Sequence, residues 1–252
     1  MILLIDTSQE TGTTALCKGA EVLFSEENKI AKESASWLHQ AIARILSDAR
    51  ITVRDLEAVA VVAGPGSYTG LRVGMAAAKG FCYALKIPMI TQNTLRVMAE
   101  SMISSAIEKQ ALICPMIDAR REEVFTALYR TDPVNGQRSS VNDDLSNVNR
   151  QPSTVNDNLP TANRQLSTIL QPQALILDKT AFESELAVNP IIFFGTGAEK
   201  WKKMTDSSHA IFEPQSNLIQ AFARLAQSDF DSKTWADPVY SEPVYLKEFF
   251  SY

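Results

Sequence analysis

Two short acidic turns stand out as places where this chain could do chemistry: Asp6-Thr7-Ser8 near the start and Asp118-Ala119-Arg120 near the middle. A carboxylate at the end of a central strand, followed by a polar turn, can hold a metal-bound phosphate or act as a base. Two such turns facing each other would make a paired phosphate clamp. The alternative is that each Asp ends its strand and bonds the turn backbone. The first turn, with Thr7, Ser8, Thr11 and Gly12, suits a phosphate; the second carries Glu122 and Glu123 and no glycine, which would repel a polyphosphate. The most distinctive stretch is Gly64-Pro65-Gly66-Ser67-Tyr68-Thr69-Gly70. It could offer backbone N–H groups to an anion at a helix start, or be a tight turn with a Ser or Thr cap; it has no Lys of the phosphate-loop kind.

Metal and nucleophile chemistry are poorly provided for. The chain has only two histidines, His39 and His209, far apart in sequence, so no paired-histidine metal motif can be built. Cys17, Cys82 and Cys114 are odd in number and widely spaced, which predicts buried thiols rather than a disulfide framework or a zinc site.

The elements that must position these turns read as α/β layering. Ile2-Leu3-Leu4-Ile5 leads into Asp6, and residues 13–17 and 21–25 alternate as a hairpin does. An amphipathic helix is expected over 34–49, a buried strand over 58–63 and a second helix from Thr69 or Gly70 to Leu85. This second helix is small along one flank, at Gly70, Gly74, Ala77, Ala78 and Gly80, for close packing either on its own sheet or at a subunit interface. From Ala111 the pattern restarts: an apolar strand runs to Asp118, and 124–129 returns. That predicts two related lobes, 1–106 and 107–252, with chance similarity of two hairpins as the other reading.

Residues 140–153 and 154–167 form a tandem repeat of 14 residues with eight identities, and seven of the eleven asparagines lie between Asn135 and Asn163. So short a period cannot build a solenoid core from two copies, so a flexible surface insertion is expected at about 135–170, with a binding arm as the alternative. A helix-like stretch (178–187), a strand (191–194), a helix (216–226) and an extended end complete the chain.

Composition sets bounds on partners. With 252 residues, 45% apolar and 21% charged, the chain is an ordinary globular protein, and 24 basic against 29 acidic residues is not the footprint of a dedicated nucleic-acid binder. Asp6 follows too few apolar residues for a signal peptide, and no apolar run reaches the ~18 residues of a membrane span, so a cytosolic protein without membrane contact is expected.

Taken in order and spacing, Ile5-Asp6-Thr7-Ser8, Gly64-Pro65-Gly66-Ser67-Tyr68-Thr69-Gly70-Leu71-Arg72-Val73-Gly74, Ile117-Asp118-Ala119-Arg120 with Glu123-Val124-Phe125, Gly195-Thr196-Gly197 and Glu242-Pro243-Val244-Tyr245-Leu246 resemble the bacterial TsaB (YeaZ) family. The resemblance covers the chain except for the Asn-rich insertion. It implies a two-lobed actin-like (ASKHA) α/β fold with mixed sheets flanked by helices, and a noncatalytic subunit. In that family the partner TsaD carries the metal-binding histidines and transfers the threonylcarbamoyl group; with TsaE and a TsaC-type enzyme, the proteins make threonylcarbamoyladenosine at position 37 of tRNAs that read codons beginning with A. The implied partners are TsaD in a heterodimer, TsaE in a ternary complex and a second copy of the chain when TsaD is absent, with tRNA met only through the complex. No tightly bound cofactor is implied; ATP and metal belong to the partner complex. A vestigial nucleotide site would comprise Asp6, Thr7, Ser8, Asp118, Gly195 and Gly197. The pairing surface maps onto the first two helices, at Leu38, Ile42, Ile45, Leu71, Gly74, Met75 and Ala78. The competing readings are an actin-fold ATP-dependent phosphotransferase or ATPase using Asp6 or Asp118, and a glycoprotease-type metalloprotease, against which the missing histidine pair speaks.

Overall fold

The computed structural model describes residues 1–28, 34–133 and 164–247. The first sheet has the strand order β3-β2-β1-β4-β5, built from β1 (Ile2–Asp6), β2 (Thr13–Lys18), β3 (Glu21–Glu27), β4 (Ala58–Gly64) and β5 (Met89–Asn93). β1 pairs antiparallel with β2 and parallel with β4, so β1 and β4 lie inside the sheet and all their residues are buried. That is why both read as continuous apolar runs instead of alternating ones.

Alternation still decides which face each side chain serves. Leu3, Ile5, Val59 and Val61 point toward α1 (Ser34–Asp48) and α2 (Tyr68–Leu85), sharing a core with Leu38, Ile42, Ile45, Met75 and Ala78. Ile2, Leu4, Ala58, Ala60 and Val62 point to the other face, where they meet Phe222, Ala223 and Ala226. Those three belong to α7 (Leu218–Asp231), a helix from the far end of the chain. Burying each large apolar side chain in these layers stabilises the fold by roughly 1.5–3 kcal/mol.

The second sheet repeats the first. Its order, β10-β9-β6-β7-β8, read from the other edge is the order of the first sheet with each strand replaced by its later counterpart. β6 (Leu112–Asp118) sits centrally, antiparallel to β7 (Glu123–Pro133) and parallel to β9 (Ile191–Phe194); β8 (Arg164–Ile176) and β10 (Ala210–Phe212) form the edges. One face packs on α3 (Thr94–Ser101) and α4 (Ile103–Glu108) through Leu95, Met98, Met102 and Ile103. The other packs on α5 (Glu183–Leu186) and α6 (Ala198–Lys202) through Leu186 and Trp201, with Phe182 beside them.

Three expectations change. Residues beyond 106 were placed in the second lobe, yet α7 covers a face of the first sheet, while α3, drawn from the first half, covers the second. An amphipathic pattern says that a helix buries one side, not which sheet it buries it against. The insertion expected at 135–170 is shorter on its C-terminal side, because residues 164–170 extend β8 against β7; the repeat itself lies largely outside the described residues. The helix expected over 178–187 is reduced to the single turn α5.

Candidate functional site

The two acidic turns occupy equivalent places in the two sheets, at the ends of β1 and β6, and differ in nearly every other respect. At the first, Asp6, Thr7 and Ser8 are all buried. Asp6 Oδ1 accepts hydrogen bonds from the Ser8 N–H (2.9 Å) and the Ser8 hydroxyl (2.6 Å). The Thr7 hydroxyl donates to the Gly70 carbonyl at 2.7 Å, and the Ser67 N–H donates to the Ser8 carbonyl at 2.7 Å. Residues 64–70 therefore lie directly on the turn, backbone against backbone. A Cβ at Gly66 would run into the Ser8 carbonyl, and one at Gly70 into the Thr7 carbonyl, so only glycine fits at either position. Of the two readings of this stretch, the structure carries the capped turn: Ser67 Oγ accepts from the Gly70 N–H at 3.3 Å and starts α2. Burial pushes the Asp6 carboxyl up, against the opposing pull of its Ser8 hydrogen bonds.

At the second turn Asp118 is exposed. Its Oδ1 accepts from the Arg120 N–H at 2.6 Å and from Lys200 Nζ at 2.8 Å, while its own N–H donates to the Thr196 hydroxyl at 3.0 Å. Partial burial pushes its carboxyl up, but the Lys200 and Arg120 hydrogen bonds and charges outweigh it and hold the group below the usual carboxylate range. Lys200 also donates to the carbonyls of Arg121 and of Glu123, the latter at 3.2 Å. Glu123 is itself ion-paired with Lys247. Arg120 and Arg121 both have left-handed backbones, φ 67° and 50°.

Gly195 and Gly197 pack against the end of β6: the Gly197 N–H donates to the Met116 carbonyl at 3.0 Å, and Gly195, at φ 93°, has that carbonyl where a Cβ would be. Beside them is a cavity of about 520 Å³ lined by Phe193, Thr196, Lys202, Phe212 and Gln215. Gln215 Nε2 is buried there without a hydrogen-bond partner. Lys200 and Gln215 were not singled out in the sequence; a lone Lys in a helix and a Gln in a loop carry no local pattern.

The seven residues placed on a partner surface are corrected by their burial. Leu38, Ile42, Ile45, Leu71, Met75 and Ala78 are core residues of the first lobe, and Gly74 packs against the Thr7 hydroxyl. The apolar stripe of an amphipathic helix goes to its own sheet. The small flank of α2 divides accordingly: Gly70 and Gly74 serve the sheet, whereas a Cβ at Gly80 would meet open space. The outward side of the two helices carries His39 and Ala43 on α1 and Ala76, Gly80 and Tyr83 on α2, with Tyr83 82% exposed.

His39 lies against the Phe81 ring and His209 Nδ1 against the Leu186 carbonyl at 2.7 Å. Among the described residues no three His, Cys, Asp or Glu side chains gather as a metal site. All three cysteines are buried, and burial pushes the thiols up to about 11 for Cys17 and Cys82 and about 12 for Cys114, which leaves them unreactive. No helix among the described residues is long and apolar enough to cross a membrane.

The repeated sheet order and the equivalent acidic turns define the class: a duplicated actin-like α/β protein. A family model described as TsaD, tRNA N6-adenosine threonylcarbamoyltransferase, matches residues 24–234. The tRNA threonylcarbamoyladenosine biosynthesis protein TsaB of Bacillus subtilis is 34% identical over 129 residues, 51% of this chain and 55% of that protein. TsaB of Escherichia coli is 33% identical over 131 residues, 52% and 55% of the two chains. The chain thus spans about half the length of the curated relatives it matches. Among solved structures, a Pseudomonas aeruginosa protein with similarity to peptidase YeaZ superposes with a TM-score of 0.72 at 21% identity, covering 98% of this chain and 99% of that one. YeaZ from the same organism gives 0.65 at 21%, covering 97% and 99%. The chain belongs to the TsaB/YeaZ family; the TsaB proteins of Bacillus subtilis and Escherichia coli bear names that place them in tRNA threonylcarbamoyladenosine biosynthesis.

Proposed function

We propose that this chain is a noncatalytic supporting subunit in the formation of threonylcarbamoyladenosine at position 37 of tRNAs that read codons beginning with A. It pairs with TsaD, with TsaE joining in a ternary complex, and with a second copy of itself when TsaD is absent. It works in the cytoplasm, meets tRNA as part of the complex and holds no cofactor of its own; ATP and metal are the partner complex's. The observation that carries this reading is the packing of residues 64–70 onto Asp6-Thr7-Ser8. The Ser8 N–H and both hydroxyls are taken by protein acceptors, and the glycines leave no gap, so a polyphosphate finds no free donor among these groups. A phosphotransferase would need that turn open.

The surface best suited to the partner is the outward side of α1 and α2, where small residues at Ala43, Ala76 and Gly80 permit a close approach of helices and Tyr83 offers an aromatic anchor. Reconstitution tests both parts. Product formation by TsaD, TsaE and a TsaC-type enzyme should depend on this chain, and Gly80→Arg should abolish co-elution with TsaD while leaving the fold intact. Modification at full rate without the chain would end the proposal; co-elution unchanged in Gly80→Arg would end the mapping.

A further inference from the structure

The β6–β7 turn has a feature that the supporting role does not use. Asp118 is neutralised by Lys200 and Glu123 by Lys247, and the carbonyls of Arg121 and Glu123 are held by Lys200. The Ala119 N–H donates to the Glu123 carbonyl at 3.1 Å, the Glu123 N–H to the Arg120 carbonyl at 3.2 Å, and the Leu177 N–H to the Glu122 carbonyl at 2.8 Å. The turn is therefore tied down on every side. On this platform sit Arg120 and Arg121, both exposed and, among the described residues, with no side-chain hydrogen bond or ion pair, though Arg120 adds its charge to the field at Asp118. Both adopt the left-handed backbone that Gly or Asn takes at little cost and Arg does not. A strained pair of cations held rigidly in water is a prepared site for an anion.

We infer that Arg120 and Arg121 form a two-pronged contact for the phosphodiester backbone of RNA. Guanidinium groups match phosphate oxygens bidentately, and lysines neutralise Asp118 and Glu123 beneath the prongs, so Glu122 is the one acidic residue of the turn without a paired cation among the described residues. A nucleoside polyphosphate is the poorer fit, because the equivalent turn of the other lobe has its Ser8 N–H and hydroxyls occupied and could not share the load. The choice of RNA over another polyanion rests on the pathway reading above.

The test uses the full chain alone, with an anticodon stem-loop RNA followed by fluorescence anisotropy between about 50 and 200 mM salt. Affinity should fall with salt, and the double variant Arg120→Asn with Arg121→Asn should bind more weakly, with a log–log salt slope shallower by about two. Asn suits a left-handed backbone, so this variant should melt no lower than the unaltered chain, which separates lost contact from lost fold. Arg120→Lys with Arg121→Lys should keep the slope. The inference is overturned if the unaltered chain does not bind RNA at the low-salt end or if the Asn variant keeps its slope. It is equally overturned if ATP or polyglutamate binds with the same dependence on the two arginines while RNA does not. No other protein is involved, so failure of the reconstitution above is a separate result.

Discussion

Asp6 and Asp118 end the same strand of the same five-stranded unit, once in each lobe, yet the first is sealed under a glycine-rich loop and the second stands in water against a lysine. Topology alone therefore does not assign chemistry to a strand-end carboxylate. What differs is the segment that follows the parallel neighbour: residues 64–70 after β4 press onto the Asp6 turn, whereas residues 195–197 after β9 stop short of covering Asp118. One carboxylate has become part of the core and the other part of a surface ion pair.

This contrast can be broken or sharpened by substitution, with the largest effect in the sealed lobe. Gly70→Ala should destabilise the protein by about 3 kcal/mol or more, because its Cβ meets rigid backbone at Thr7 and the turn must shift. Thermal and denaturant unfolding would read this, and a loss below about 1 kcal/mol would mean that the loop is not seated as described. Asp6→Asn comes next, and its sign depends on pH. The raised native value of Asp6 means that its ionised form is disfavoured in the fold: stability is fully present below the unfolded value of about 4 and is lost as pH rises through the native one. The Asn variant, which keeps an acceptor for Ser8, should therefore gain on the unaltered chain as pH rises, and a parallel pair of pH–stability curves would contradict the burial.

Asp118→Asn should behave in the opposite sense and more weakly. Its lowered native value contributes stability that is present above about pH 4 and is lost as pH falls through the native value. With its side chain 42% exposed the pair is screened, so the loss at neutral pH should stay within about 1 kcal/mol and shrink with salt. Smallest of all, Gly80→Ala on the open side of α2 should raise stability by about 0.5–1 kcal/mol, since helix propensity is gained and nothing is displaced.

Much of the frame was legible in the sequence. The unbroken apolar runs of β1 and β4 announced interior strands, and the restart at Ala111 announced the second unit, because burial on both faces and chain duplication leave direct traces in residue type. Asp6 and Asp118 were found for the same reason. Their opposite surroundings were not, since the seal at Asp6 depends on where a loop sixty residues away comes to rest, and the neutralisation at Asp118 on a single Lys of α6. The helix surfaces were read inside out: Leu38, Ile42 and Met75 make an apolar stripe that serves the lobe's own core, and the outward face, with His39, small residues and Tyr83, carries no such stripe. The helices α3 and α4 gave no early sign, and α4 falls where a boundary between units was expected.

The crossing of α3 and α7 fixes an order of events during synthesis. The last strand of the first sheet is complete at Asn93, but the face formed by Ile2, Leu4, Ala60 and Val62 waits for Phe222 and Ala226. While the ribosome is still making the second unit, the first is half-covered, with a strip of aliphatic surface open to any passing chain. The nascent protein is thus most open to wrong contacts after its opening sheet has formed and until α7 has cleared the exit tunnel.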